Sequence, residues 1–360
     1  MACLRKIKQI DVPYTEMIFD MKYVPTNSRM LACATVEGDV MILDSSNTTK
    51  PVSLHLSKHH KGSSIRRIAF TANDHNLVTA AKTIKIFDLN HGKVLRKISA
   101  GTSKIHALSV IDQYLLCAGD DEGCFRVWDY RENRGCLMEI KECDDYISDL
   151  DVDSDRKIVV ASSGEGTLSA FNVRARRMEQ PQSELFDAGF QSVRFYEERG
   201  RVLVGAEDGA INIFNINEWG NISDRYPIRC SAGRASGVCS IDHMEVLSVG
   251  DDQASVVLLG VGDGKIRAMS VLPNKIIAEG ECHPSSVESL AACSTTKQVA
   301  SSDTNCIFIH ELIINETGDD QEGPQVSAGD SASNVSTSGS GSGSKKAASS
   351  SSMTNFFADL

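Results

Sequence analysis

The chain repeats one pattern seven times, and this repeat limits the folds that it can adopt more than any other feature. The best-preserved copy is the stretch 119–129, where an acidic turn containing Gly123 precedes an alternating strand that ends in Trp128 and Asp129. Positions equivalent to Trp128 recur in six further units, at Leu43, Phe87, Phe171, Phe214, Met269 and His310. Successive positions lie 44, 41, 43, 43, 55 and 41 residues apart. A single hairpin is only marginally stable in water, so the repetition indicates that the units stack on one another.

Each unit consists of short alternating segments with no helical period, which is typical of β-strands. A glycine stands five residues before the reference position in five units, where it permits a tight turn: Gly38, Gly123, Gly166, Gly209 and Gly264. Five of the six intervals fall in or beside the range of about 40–45 residues that WD40 repeats occupy. We therefore predict an all-β fold, a seven-bladed WD40 β-propeller, over residues 1–314.

Closure of the ring requires a strand that the last unit lacks. No good fourth strand follows Glu311, whereas the segment Leu4–Val12 precedes the first unit and has no other assignment. An open sheet edge would invite aggregation. The sequence therefore predicts that residues 4–12 supply the outer strand of the last blade.

The one long interval, of 55 residues, contains two segments that we interpret as loops, 217–226 and 250–253. Trp219 lies in the first of them. Large aromatic side chains usually bury most of their area, so we expect Trp219 to pack under its own loop rather than to anchor a partner.

The composition changes after Ile314. Residues 315–360 are rich in Ser and Gly and carry acidic residues, and residues 315–353 have almost no large apolar side chain, so we predict a disordered tail. The tail ends in Phe356, Phe357 and Leu360, which form a candidate C-terminal linear motif.

Charge, cysteine content and missing motifs exclude several functional classes. The net charge of −11 disfavours sequence-independent binding to nucleic-acid backbone. The 11 cysteines form no CxxC pair, which favours buried reduced thiols over a zinc site. No signal peptide or membrane span is evident, so we expect a soluble intracellular protein without a membrane partner.

No catalytic constellation is present either: the chain has no GxSxG, Walker or HExxH sequence. We therefore expect no enzyme activity, no cofactor, no metal and no small-molecule substrate. His59, His60 and His283 precede inner strands, where a structural role is the favoured interpretation.

The densest basic run is Arg174, Arg176 and Arg177, which follows a strand end. Two interpretations remain open for it. It forms either a solvated face or a contact for RNA phosphates or an acidic partner, because guanidinium groups match phosphate geometry well.

Several stretches together resemble the WD repeat-containing protein 55 family of eukaryotes. They are residues 118–131, 146–149, 170–177, 213–215, 222–226, 263–275, 287–290 and the C-terminal 356–360. The resemblance implies a non-enzymatic nuclear and nucleolar factor that supports synthesis and processing of ribosomal RNA and ribosome biogenesis, with ribosome-assembly factors as partners. Members of this family usually carry a basic stretch after the last blade, whereas this chain is acidic there apart from Lys345 and Lys346, so a cytoplasmic location is the alternative.

A second family pattern overlaps the best-preserved repeat. The sequence Trp128-Asp129-Tyr130-Arg131 is similar to the W-D-x-R ending of propellers that dock on the adaptor of cullin-4 ubiquitin ligases. Trp128 and Asp129 are already explained by the blade, so Arg131 is the diagnostic residue, expected to be exposed and available to an acidic group. The alternative function is therefore that of a substrate receptor for such a ligase.

Overall fold

Residues 2–314 contain a closed ring of antiparallel sheets. The computed structural model describes residues 2–11, 17–47, 49–72, 75–132, 135–141, 143–230, 239–249, 255–304 and 306–314. Within these residues, 28 strands form seven four-stranded sheets. This confirms the predicted all-β, seven-bladed propeller. The predicted tail at 315–360 lies outside the described residues.

The strands follow chain order from the centre of each blade outwards. Blade 1 comprises β2 (Ile18–Val24), β3 (Asn27–Thr35), β4 (Val40–Asp44) and β5 (Val52–Leu56). Blade 2 comprises β6 (Arg67–Phe70), β7 (Leu77–Ala80), β8 (Thr83–Asp88) and β9 (Lys93–Ser99). Blade 3 comprises β10 (Ile105–Val110), β11 (Leu115–Asp120), β12 (Cys124–Asp129) and β13 (Met138–Lys141). Blade 4 comprises β14 (Ile147–Val152), β15 (Ile158–Ser163), β16 (Leu168–Asn172) and β17 (Arg177–Glu179).

Blades 5 and 6 follow the same plan, whereas blade 7 takes its outer strand from the N-terminal segment. Blade 5 comprises β18 (Phe190–Tyr196), β19 (Arg201–Ala206), β20 (Ala210–Asn215) and β21 (Glu218–Pro227), with a 3₁₀ turn at Glu197–Arg199. Blade 6 comprises β22 (Ile241–Leu247), β23 (Val256–Val261), β24 (Ile266–Ser270) and β25 (Lys275–Glu279). Blade 7 comprises β26 (Ser289–Cys293), β27 (Gln298–Ser302), β28 (Cys306–Ile314) and β1 (Ala2–Asp11). None of the described segments is a helix with the length and apolarity to cross a bilayer.

The hydrophobic core is divided into seven layers that lie between neighbouring blades. Each buried cluster combines side chains of two adjacent blades, for example Val40 of blade 1 with Phe87 of blade 2. The seven reference positions of the repeat all lie in the third strand of a blade. Alternation along these strands directs successive side chains to opposite faces, so every blade packs on both sides.

Ring closure joins the first described strand to the last. Strand β1 pairs antiparallel with β28, from Ala2 opposite Ile314 to Asp11 opposite Cys306. The first strand of each blade also contacts the first strands of both neighbours, including β2 against β26. The N-terminal segment thus occupies the outer position of blade 7, which is the position that the repeat analysis assigned to it.

The segment 217–226 is a strand and not a loop, so our interpretation of it was wrong. Strand β21 covers Glu218–Pro227 and pairs with β20 through two register shifts. It is the outermost strand of blade 5 and is largely exposed, so its polar composition resembles that of a loop. Trp219 is buried, 3% exposed, in the core between blades 4 and 5. The other presumed loop, 250–253, lies outside the described residues.

The cysteines also depart from expectation in one place. Cys230 and Cys239 form a disulfide, with a Cα–Cα distance of 6.0 Å. Nine other cysteines are free thiols, of which Cys3 and Cys282 are exposed. The expectation of buried reduced thiols is therefore wrong for these four residues: two are oxidised in the disulfide, and two are reduced but exposed.

Gly123 occupies a turn that other residues cannot form without strain. Its φ is +77°, and a Cβ atom there would lie 2.1 Å from the carbonyl oxygen of Cys143. We expect Gly123→Ala to lower the free energy of unfolding by more than about 2 kcal/mol, since a left-handed conformation alone costs an L-residue about 1–2 kcal/mol. Gly92→Ala is the matched control, with φ +64° and no atom within 4 Å of the added Cβ. Urea unfolding of both variants measures the difference, and equal losses would contradict the close-approach argument.

Candidate protein-binding surfaces

The propeller has two faces that differ in the connections they carry. We call the face where the first strand of each blade begins the upper face, and the opposite one the lower face. Because the strands alternate in direction, the third strand of each blade ends at the lower face. Arg131 and the basic run around Arg176 follow third strands and therefore belong to the lower face.

The turn after β12 holds the candidate docking residues in a fixed arrangement. Trp128 is buried between blades 2 and 3. Asp129 accepts hydrogen bonds from Arg131, at 3.0 Å from Nε and 2.6 Å from an Nη atom. These hydrogen bonds hold the pKa of the Asp129 carboxyl below its usual value. The Arg131 guanidinium also lies 3.8 Å from the ring centroid of Tyr114.

Arg131 is thus exposed as expected, with 54% of its side chain accessible, but it is not unpaired. Its carbonyl oxygen accepts a hydrogen bond of 2.6 Å from Arg96 on β9. The same strand exposes Val94 and Leu95, 45% and 42% accessible. The turn therefore presents one oriented and exposed guanidinium group, and arginine is enriched at protein–protein interfaces.

The basic cluster forms the turn between β16 and β17. The side chain of Asn172 accepts a hydrogen bond from the backbone of Ala175 and so closes the turn. Arg174 donates to the carbonyl oxygen of Asp155, and Arg177 lies 3.5 Å from Glu179. All three arginines are exposed. The structure places them on the lower face of blade 4, next to the blade that carries Arg131.

The histidines singled out in the sequence are engaged within the blades. His60 lies 2.8 Å from the Thr79 hydroxyl, and His59 lies 3.2 Å from the same group. His283 lies 2.7 Å from the Ser301 hydroxyl and stacks on Phe308. These contacts tie the loops before inner strands to second strands and agree with a structural role.

His283 also belongs to a buried group with Asp303 and Cys306 whose ligand atoms lie within 4.8 Å of one another. All three have contacts within the blade. His283 lies 2.7 Å from the Ser301 hydroxyl, and Asp303 accepts a hydrogen bond of 2.7 Å from the backbone nitrogen of Cys306. The Cys306 sulfur lies 3.9 Å from Nδ1 of His283. Burial raises the pKa of the Cys306 thiol to about 12. We therefore assign this group to the packing of blade 7.

The central channel contains a network of charges that the sequence analysis missed. Inner strands place Lys22, Arg67, Asp149, Arg194 and Glu245 around a cavity of about 280 Å³. Arg194 lies 2.5 Å from Asp149 and 3.4 Å from Glu245, which also pairs with Lys22. Arg67 lies 3.9 Å from Asp149, so the network links blades 1, 2, 4, 5 and 6.

Burial and pairing compete in setting the pKa values of the channel carboxyls. Burial alone would raise the pKa of Asp149, but Arg194 and Arg67 outweigh it and the pKa is lowered. Lys22 and Arg194 likewise lower the pKa of Glu245 against its burial. Burial dominates at Asp151 and raises its pKa to about 6. The only sequence signal for the network is the presence of charged residues at alternate positions of otherwise apolar inner strands.

Phe356, Phe357 and Leu360 lie outside the described residues, so the structure places two of the three candidate surfaces. The turn after β12 and the basic cluster share the lower face, and the charged network lies in the central channel.

Comparison with known proteins gives one consistent relationship. A family model described as WDR55 matches residues 9–308. WD repeat-containing protein 55 of Bos taurus is 33% identical over 269 residues, covering 73% of this chain and 66% of that protein. The Homo sapiens protein of the same name is 31% identical over 280 residues, covering 76% and 68%. The Drosophila yakuba homolog is 27% identical over 299 residues, covering 82% of this chain but only 56% of its own length.

Proposed function

Because this chain belongs to the WD repeat-containing protein 55 family, we propose that it is a nucleolar scaffold that supports synthesis and processing of ribosomal RNA. A WD-repeat propeller of this family is a protein-interaction scaffold, and such propellers are generally not enzymes. The observation that carries the proposal is the family match across residues 9–308, which includes blades 1–6 and the two inner strands of blade 7. The nucleolar role itself comes from the resemblance to that family.

The proposed partners are ribosome-assembly proteins bound at the propeller faces. Short loops on a rigid ring suit simultaneous recognition of several surfaces. RNA enters the proposal only through Arg174, Arg176 and Arg177, whose exposed guanidinium groups fit phosphate oxygens. The overall charge of −11 restricts such a contact to a local patch.

Depletion of the protein followed by pulse labelling of precursor ribosomal RNA tests the proposal. We expect reduced synthesis or delayed processing that the wild-type chain rescues. Rescue by a variant with Arg174, Arg176 and Arg177 changed to Ser then decides whether the basic cluster participates. Normal precursor synthesis and processing after depletion would contradict the nucleolar role, whatever the variant does.

A second function, docking on the adaptor of a cullin-4 ligase, is favoured by the arrangement of Arg131. Asp129 and Tyr114 hold its exposed guanidinium in one orientation, so little side-chain entropy is lost on binding. We expect Arg131→Ala to reduce co-purification of the adaptor at least tenfold. Arg5→Ala is the control, because Arg5 is also exposed and paired with a carboxylate, that of Glu311, but lies on β1. Unchanged adaptor recovery with Arg131→Ala would refute this role.

A further inference from the structure

The upper end of the channel is lined by one residue from every blade. In β2, β10, β14, β18 and β22 the pairing register shifts after the first residue, which leaves the next residue unpaired. Such bulges redirect a side chain. The residues at this position, together with their equivalents just before β6 and β26, are Phe19, Arg66, His106, Ser148, Gln191, Asp242 and Glu288, and all seven line one cavity of about 370 Å³. We call this cavity the upper mouth.

Charge is distributed unevenly around the upper mouth. Asp242 and Glu288 come from the adjacent blades 6 and 7. Asp242 accepts a hydrogen bond of 2.9 Å from the Ser240 hydroxyl, and Glu288 accepts one from Ser286. No salt bridge reaches either carboxyl in the part of the chain that the structure describes. The paired carboxyls deeper in the channel differ in this respect, since Asp149 contacts Arg194 at 2.5 Å.

The groups around Asp242 favour the binding of a cation beside its carboxyl. Burial, Glu288 and Glu207 together raise its pKa to about 6, against the hydrogen bond from the Ser240 hydroxyl, which lowers it. A cationic group placed beside Asp242 would therefore relieve an unfavourable charge arrangement. A metal ion fits poorly, because no group of three potential metal ligands among the described residues includes Asp242 or Glu288.

The opposite wall carries a half-buried arginine with an unused donor. The Arg66 guanidinium lies 5.0 Å from the ring centroid of Phe19, and its buried Nε atom has no hydrogen-bond partner among the described residues. Tyr146 and His106 complete this wall, with ring centroids 5.0 Å apart. Aromatic walls accommodate the aliphatic stem of a long side chain, and Arg66 would repel a second cation.

We propose that the upper mouth binds a protein segment that inserts one lysine or arginine side chain towards Asp242 and Glu288. The two carboxylates accept hydrogen bonds from the charged end of that side chain, a charge-assisted type of contact. This proposal rests on the propeller being a protein-binding scaffold, but not on the cellular process that the partner serves. The binding test can therefore fail while the nucleolar role stands, and the nucleolar role can fail while the binding site stands.

Binding of two matched peptides to the full chain tests the proposal. The probes are acetyl-Gly-Arg-Gly-amide and its citrulline analogue, which keeps the shape of arginine but lacks the charge. Saturation-transfer NMR and calorimetric titration measure their affinities. We expect the arginine peptide to bind and the citrulline peptide to bind at least tenfold more weakly. Equal affinities, or no binding of the arginine peptide at concentrations up to about 10 mM, would overturn the proposal.

Two double variants locate the binding site. Asp242→Asn with Glu288→Gln should weaken binding of the arginine peptide at least tenfold, and these near-isosteric changes leave the fold intact because they remove uncompensated charge. Glu37→Gln with Glu122→Gln is the control, since both residues are exposed at turns of the upper face outside the mouth. Thermal unfolding checks that both variants are folded. Equal loss of affinity in the two variants would show diffuse attraction to an acidic protein and refute the assignment.

Discussion

Arg267→Met is expected to lower the free energy of unfolding by about 3–5 kcal/mol, because the substitution leaves a buried carboxylate without its counter-charge. Arg267 lies in β24, and both its side chain and that of Asp263 are 1% exposed. Its guanidinium donates to both oxygens of Asp263, at 2.9 and 2.6 Å, and to Glu279 at 3.1 Å. Methionine fills much of the same volume, so the loss reports on charge and hydrogen bonding more than on a cavity. Urea unfolding at neutral pH measures it.

An exposed ion pair and a double variant serve as controls for this prediction. Arg225 and Asp208 form an ion pair within blade 5, and their side chains are 48% and 35% exposed. Arg225→Met should cost no more than about 1 kcal/mol, as exposed pairs generally do. Arg267→Met combined with Asp263→Asn should recover part of the stability, since the buried charge is then gone. A loss below about 1 kcal/mol for Arg267→Met, or no recovery in the double variant, would contradict the argument.

The repeat was sufficient to predict the architecture because each blade packs in the same way against its two neighbours. Every reference position, from Leu43 to His310, lies in a third strand. The alternation of side chains within a strand is local information, so the sequence contains it directly. Strand β21 was missed for the opposite reason: as an outer strand it is mostly exposed, and its polar residues give no alternating apolar signal.

The candidate sites were less predictable, because their geometry depends on contacts between blades. Asp149 and Arg194 are 45 residues apart, and only the packing of blade 4 against blade 5 brings their inner strands together. The pairing of Arg131 with Asp129 is local, but its stacking on Tyr114 depends on how the β10–β11 turn folds. The upper mouth is still harder to foresee, since a register shift of one residue turns Asp242 towards the axis.

Removal of residues 2–11 is expected to abolish stable closure of the ring. The deletion takes away the outer strand of blade 7 and leaves the edge of β28 unpaired over its whole length. It also removes Leu4 and Ile10, which are 5% and 1% exposed and contribute to the cores on the two sides of blade 7. Burial of these two side chains alone stabilises the fold by about 3–6 kcal/mol. We therefore expect aggregation, or a thermal transition far below that of the full chain.

Single substitutions in β1 separate the effect of this strand from that of a shortened chain. Ile10→Asp should destabilise the protein severely, because it places a charge in the core between blades 7 and 1. Gln9→Asp changes the adjacent, exposed position of the same strand and should alter stability by no more than about 0.5 kcal/mol. A synthetic peptide of residues 2–11 added to the truncated chain should restore part of the thermal stability by re-forming the pairing with β28. Unfolding of the truncated chain at the temperature of the full chain would mean that the ring holds without its N-terminal strand.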